Sequence, residues 1–195
     1  IPNLTLKLDR NPTQDQIEIT SSLLNVKAKG KIDFNSIGGI LEDQLSKLVP
    51  GLMSANIDPK KKKKPLNSTD RIDFGINLID VKPILDVFAP KLEVAPGSRI
   101  FGNYDAAERS FDMSVISDFV AFDGKMARGI HLHQVADSGS MRADYNISAL
   151  DINDSITIET INFSANGNGD NLRSILTWNP ATSNESKIEW NTKIE

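Results

Sequence analysis

The sequence predicts a mostly β fold. One long antiparallel sheet is expected to curl into a β-groove, a taco-like trough, with two short helices at repeat boundaries. Three observations predict it. Apolar and polar residues alternate strictly over most of the chain, the mark of half-buried strands. Turn signals recur roughly every 8–12 residues, enough for roughly a dozen strands. Twice a strand pattern runs straight into an amphipathic helix, in "GKIDFNSIGGIL" from Gly30 and in "FGINLIDVKPIL" from Phe74. Ile32 matches Ile76, Phe34 matches Leu78, Ser36 matches Asp80 and Ile37 matches Val81 across these two stretches.

The elements follow in order. Leu4, Leu6 and Leu8 share one strand face, opposite Thr5, Lys7 and Asp9. Ile17 and Ile19 come next. Val26, Ala28, Gly30, Ile32 and Phe34 then alternate with Lys27, Lys29, Lys31 and Asp33. Ser36 is a natural N-cap for a helix to about Val49. Ile37, Ile40, Leu41, Leu45 and Leu48 give it an apolar stripe, and Pro50-Gly51 stops it. Lys60 to Lys64 form a run without apolar partners, which reads as a solvated loop. The first unit is therefore placed at 1–66, and a second strand–helix unit with a β-meander at 67–195, within one continuous trough.

In the second unit Ile72, Phe74, Ile76 and Leu78 form a strand face. Asp80 is expected to cap a helix to Phe88, with Pro83 in its first turn and Pro90 beyond its end. From Lys91 onward the pattern is a meander. Asp105 to Glu108 join two strands, and Asp123-Gly124 is a hairpin signal. Met141, Ala143, Tyr145, Ile147 and Ala149 alternate most cleanly of all. The apolar phase shifts between Ile156/Ile158 and Ile161/Phe163, which predicts a bulge or turn. "NGNGDN", from Asn166, reads as a turn cluster. Leu176 and Trp178, then Ile188, Trp190 and Ile194, close the chain.

Composition narrows the function. The net charge is −4, so no basic field favours nucleic acid, and two Tyr and two Trp are too few for base-stacking platforms. The chain has no Cys, which removes a disulfide scaffold, a thiolate nucleophile and a Cys-based zinc site. No stretch approaches the roughly 20 apolar residues that span a bilayer as a helix. "IPNLTLKLD" and "KIEWNTKIE" both read as strand interior, so the chain is expected to be a segment of a longer protein.

Chemistry-bearing motifs are sparse. His131 and His133 point to one side of a strand, and Asp123, Asp137 or Asp144 could complete a metal site only in principle. Solvent on the face opposite Ile130 and Leu132 accounts for them better. "GNGDN" lacks the Lys and the strand–helix context of a phosphate loop. No nucleophile elbow is present, and the carboxylates spread along polar faces. The chain is therefore expected not to be an enzyme, with no catalytic residue, metal or cofactor. The N-x-[ST] pattern recurs, as alternation on an exposed strand face produces, and "DSI" at Asp154 is a short O-glycosylation-like motif. The lysine run could touch anionic headgroups, although a solvated loop explains it more simply.

"LLNVKAKGKIDF", followed by a capped L-x-x-x-L helix ending in Pro, resembles the repeat of the AsmA/TamB-like family. "LDVFAPKLEVAPGSRIFGNYDAAERSFDMSVIS" looks like the TamB-type translocation and assembly modules of Bacteroidetes, and "INFSANGNGDNLRSILTW" matches the shape of their downstream hairpin. The likeness is one of spacing and residue class over most of the chain, without an invariant catalytic motif. It implies a segment of a bridge-like protein of Gram-negative bacteria, anchored in the inner membrane and crossing the periplasm as an apolar trough. It also implies lipid transport of phospholipid for outer membrane biogenesis, and outer-membrane assembly with an Omp85-type partner. The residues expected to face the lipid are Ile76, Leu78, Phe111, Met113, Val115, Ile130, Leu132, Met141, Ala143, Tyr145, Ile147, Ile156, Ile158, Leu176 and Trp178. One alternative is a structural, adhesin-like β-sandwich closed by its own core. Another is a carbohydrate-binding module built on Phe101, Phe119, Phe122 and Tyr104.

Overall fold

A computed structural model describes residues 3–31, 71–169, 171–179 and 186–193. They form one antiparallel sheet of twelve strands that does not close. The strands are β1 (Thr5–Arg10), β2 (Asp15–Thr20), β3 (Leu24–Lys31), β4 (Arg71–Leu78), β5 (Leu92–Val94) and β6 (Arg99–Asp105), then β7 (Ser110–Phe122), β8 (Lys125–Ala136), β9 (Ser140–Asn153), β10 (Ile156–Asn168), β11 (Asn171–Trp178) and β12 (Ser186–Lys193). Chain order is spatial order from β1 to β12, except that β5 pairs only with β7. Val94 lies opposite Val120, whereas Arg99 of β6 lies opposite Ile116. β5 and β6 are thus two pieces of one line along the long β7, broken at Ala95–Ser98.

That break is held by hydroxyls. Ser98 and Ser117, each 4% exposed, share a 2.7 Å hydrogen bond between their Oγ atoms. One of the two hydroxyls donates to the other, which passes its own proton to a carbonyl: that of Ala95, 2.6 Å from the Ser98 Oγ, or that of Phe119, 2.8 Å from the Ser117 Oγ. Buried hydroxyls need such partners, and both carbonyls also accept a backbone N–H, Ala95 from Ser98 and Phe119 from Ala95, so the pair is tied into the break's own backbone bonds.

The turns follow local chemistry. Asp123 and Gly124, at φ 50° and 81°, link β7 to β8 in a two-residue hairpin, as the sequence predicts. Asp105 accepts the N–H groups of Ala107 and Glu108 in the β6–β7 turn. Within "NGNGDN" the strand runs on to Asn168, and Asn168 pairs with Asn171 across a tight turn at Gly169. Most of that cluster is therefore strand.

Among the described residues the one helix is α1 (Lys82–Phe88). Its N-cap is Val81, with no side-chain cap hydrogen bond, and Pro83 lies in the first turn. Asp80 therefore does not cap the helix as expected; the chain turns one residue later. The Ser36–Val49 helix, the Lys60–Lys64 run and the Ile32–Leu41 half of the repeat lie outside the described residues. Across them the sheet is continuous, because β3 pairs with β4 from Leu24↔Leu78 to Lys31↔Arg71.

A crease crosses the four long strands. Gly129 of β8 and Thr160 of β10, at φ 59° and 51°, flank Ser148 of β9. A Cβ on Gly129 would lie 2.2 Å from the Ser148 Oγ, so glycine is required there by space as well as by φ. On one side of this line the apolar positions are Ile130, Ile147 and Ile161. On the other they are Val120, Ala127, Leu150 and Ile158, which pair in one row with Val94. The apolar phase therefore moves by one residue at the same line in every long strand. The shift expected before Ile161 is the β10 part of that crease, through which the β9–β10 register holds; that register shifts only at Ile156/Thr157.

Candidate functional site

Residues paired across a ladder share a face. Tracing pairs from β1 to β12 gives one unbroken row: Leu6, Ile19, Val26, Ile76, Ile100, Val115, Leu132, Tyr145, Phe163, Leu176 and Ile188. Every member is aliphatic or aromatic, and the row runs from one edge of the sheet to the other. At roughly 4.8 Å between strands it is about 48 Å long. No member is buried; Leu6 and Ile188 are exposed at 65% and 50%, and the rest are half-buried.

Parallel rows flank it. Leu78, Ile130, Ile147 and Trp178 lie toward the crease, and Phe111 and Met141 toward the other end. Met113, Gln134, Ala143, Ala165 and Ser174 form the row between, which reaches Trp190 of β12. Ile72, Tyr104 and Phe111 make a small buried cluster, with Ile17, Phe74 and Met113 packed against it. Tyr145 and Phe163 stack at 5.4 Å, and Phe163 meets Trp190 at 6.0 Å across β11.

Of the residues expected to face lipid, Ile76, Leu78, Phe111, Met113, Val115, Ile130, Leu132, Met141, Ala143, Tyr145, Ile147, Leu176 and Trp178 share this face. Ile158 belongs to the row beyond the crease, and Ile156 is 51% exposed at the strand end. Ala143 is on the face but only 3% exposed, as are Ala165 at 2% and Ser174 at 2%. Short side chains sit at the base of a layer built by longer neighbours, so alternation assigned their face correctly and their depth wrongly. Leu6, Ile19, Val26, Ile100, Phe163, Ile188 and Trp190 lie on this face but are absent from the expected set. Their own alternation was visible, but only register joins them to the row.

The opposite face is polar. Lys7, Glu18, Lys27, Ser114, His133 and Asp144 follow one another across it, with Gly75 and Phe101 between Lys27 and Ser114. Glu18 lies 3.0 Å from Lys27 and 3.8 Å from Lys7. The Lys27 hydrogen bond and charge hold its carboxyl below the usual range. Thr157 and then Arg128 do the same for Asp151, and Lys187 and then Arg173 for Glu189. A lowered folded pKa adds stability above the ordinary carboxylate pKa, and that stability is lost as pH falls through the folded value. The melting temperature is expected to fall between about pH 5 and pH 2, and less steeply in high salt because these pairs face water. Thermal scans across that range check it.

The two histidines stand on this polar side. His133 Nε2 is 3.1 Å from Asp112 Oδ1. Asp144 pairs with Arg142, Asp123 with Lys91, and Asp137 caps its turn through Gly139 and Ser140. The three acids named as possible metal ligands are thus engaged elsewhere. Among the described residues no three His, Cys, Asp or Glu side chains gather as a metal site would require. The aromatic cluster of the carbohydrate alternative comes apart as well. Tyr104 is buried between Ile72 and Phe111, and Phe101 is exposed on the other face.

Comparison with protein-family models, with curated proteins and with solved structures finds no match.

Proposed function

We propose that this chain is a non-enzymatic segment of a lipid conduit, which shelters the acyl chains of phospholipid along its apolar face. The observation that carries the reading is the edge-to-edge apolar row with no buried member. In a sandwich such a row would be core, packed at about 10 Å by a second sheet. The described residues form one sheet, so the partner surface is supplied from elsewhere, and an acyl chain is of the right kind. Each methylene sheltered from water gains about 0.8 kcal/mol, so no directional chemistry is needed along the track. Its length of about 48 Å exceeds the roughly 15 Å of one bilayer leaflet's hydrocarbon, so several lipids fit in file.

On the resemblance to AsmA/TamB-like proteins, we put the segment in the periplasm, in a full-length protein anchored in the inner membrane. Its work there is phospholipid transport to the outer membrane and support of outer-membrane assembly. An Omp85-type partner is engaged through parts of the protein outside this segment. The sandwich alternative calls for a second sheet, and the described residues form a single one.

Native mass spectrometry of the purified chain tests the core of this reading. Phospholipid is expected to co-purify, or to be taken up from phosphatidylethanolamine vesicles, at one or more molecules per chain. A clean apo mass after incubation with vesicles would overturn it.

A further inference from the structure

Gln134 is the anomaly of the apolar face. It pairs with Met113 of β7 and Ala143 of β9, and it is only 3% exposed. Its neighbours along β8 on the same face, Leu132 and Ala136, are apolar. A side-chain amide offers two N–H donors and an oxygen with two lone pairs. Here the Tyr145 hydroxyl donates to the Gln134 Oε1 at 3.0 Å. Leucine would fill the position without any polar group to satisfy. Other buried polar side chains of this face, Ser98, Ser117 and Ser174, are small hydroxyls; an amide buried beside Leu132, Ala136 and Ala143 breaks the local pattern, and such a break is where a site is expected.

We propose that Gln134 and Tyr145 form a polar station in the track, which binds the carbonyl oxygen of an acyl lipid. This rests on the lipid-sheltering reading above. The Tyr145 hydroxyl engages the amide oxygen, so the amide nitrogen is the end that donates to the ligand carbonyl. Burial raises the Tyr145 pKa, which keeps the phenol protonated and donating. From the station the Tyr145, Phe163 and Trp190 rings lead toward the β12 edge, in contact at 5.4 and 6.0 Å. They give the methylenes an apolar bed. Met113, unbranched and adaptable, is the neighbour that swings aside to admit the carbonyl. The station gives the file of lipids a register that a purely greasy track lacks.

The carbonyl can come from a glycerolipid ester or from a free fatty acid. Three probes separate these cases: hexadecane, methyl hexadecanoate and hexadecanoic acid, each displacing a fluorescent alkyl probe from the parent chain, Gln134→Leu and Tyr145→Phe. Gln134→Leu is expected to weaken a carbonyl-bearing probe about tenfold, the effect of one hydrogen bond, and not to weaken hexadecane. Tyr145→Phe keeps the ring and is expected to show the same pattern at smaller size. A larger loss for the ester assigns the station to glycerolipid, and a larger loss for the acid assigns it to free fatty acid. If Gln134→Leu does not fold, by circular dichroism, Tyr145→Phe carries the test. Equal shifts for hexadecane and the carbonyl probes, or no shift at all, would overturn the station and leave the lipid reading standing. Failure of the parent chain to bind all three probes would overturn both.

Discussion

Leu132→Asp is expected to leave the chain folded and to abolish its lipid. Leu132 stands mid-row between Val115 and Tyr145 and is half-buried. On an open face the new carboxylate reaches water, so the β-type circular dichroism should persist with a small loss of melting temperature. A bound acyl chain would have to cover that charge. Covering it costs several kcal/mol, which is more than a hundredfold in affinity. Ile147→Asp is expected to behave alike, because Ile147 is also half-buried. Ala143→Asp should not, because Ala143 is 3% exposed and its carboxylate would be trapped at the base of the layer. A chain that unfolds equally with all three substitutions has a closed core, and the conduit reading then fails.

Gly102→Val is expected to be strongly destabilising. A Cβ built on Gly102 lies 2.1 Å from the Asp112 carbonyl oxygen and 2.9 Å from the Met113 Cα. Both are backbone of the adjoining β7, so no side chain can move to relieve the clash. The β6–β7 ladder must part, at about 3 kcal/mol or more. For a chain of this size that corresponds to a fall of about 6–12 °C in melting temperature. Gly75→Val is the control. Gly75 pairs with Phe101 in the adjoining strand, and a Cβ there meets nothing within 4 Å. Valine suits a pleated surface, so this variant should melt at or above the parent temperature. Similar losses for the two would show that glycine acts here through flexibility and not through close approach.

What alternation reveals is which way a residue points. It identified Ile76, Leu132 and Tyr145 as members of one face, and it detected the change of phase before Ile161. Depth and neighbourhood are different matters. Whether Ala143 touches solvent depends on the length of the side chains around it, and those belong to other strands. Gln134 was invisible for the same reason. Read along β8 it is one polar residue, and its meaning comes from Met113, Ala143 and Tyr145 on either side. The expected Asp80 cap failed because capping preference is local and weak, while the helix start is set by where the chain leaves β4. The Ser98–Ser117 bond had no sequence signal, since serine recurs throughout the chain and only the β6–β7 register brings these two together.

Each strand on the path contributes one rung to the apolar row, and every neighbouring pair is antiparallel. A hairpin inserted or removed changes the count by two. It leaves the direction of every other strand intact, and with it the side on which the grease lies. A lone strand would reverse all that follow. Such a molecule can be lengthened or shortened only in even steps, each worth about 10 Å. Its reach is a ruler graduated in hairpins, and tandem duplication of "strand–turn–strand" DNA is enough to move the mark.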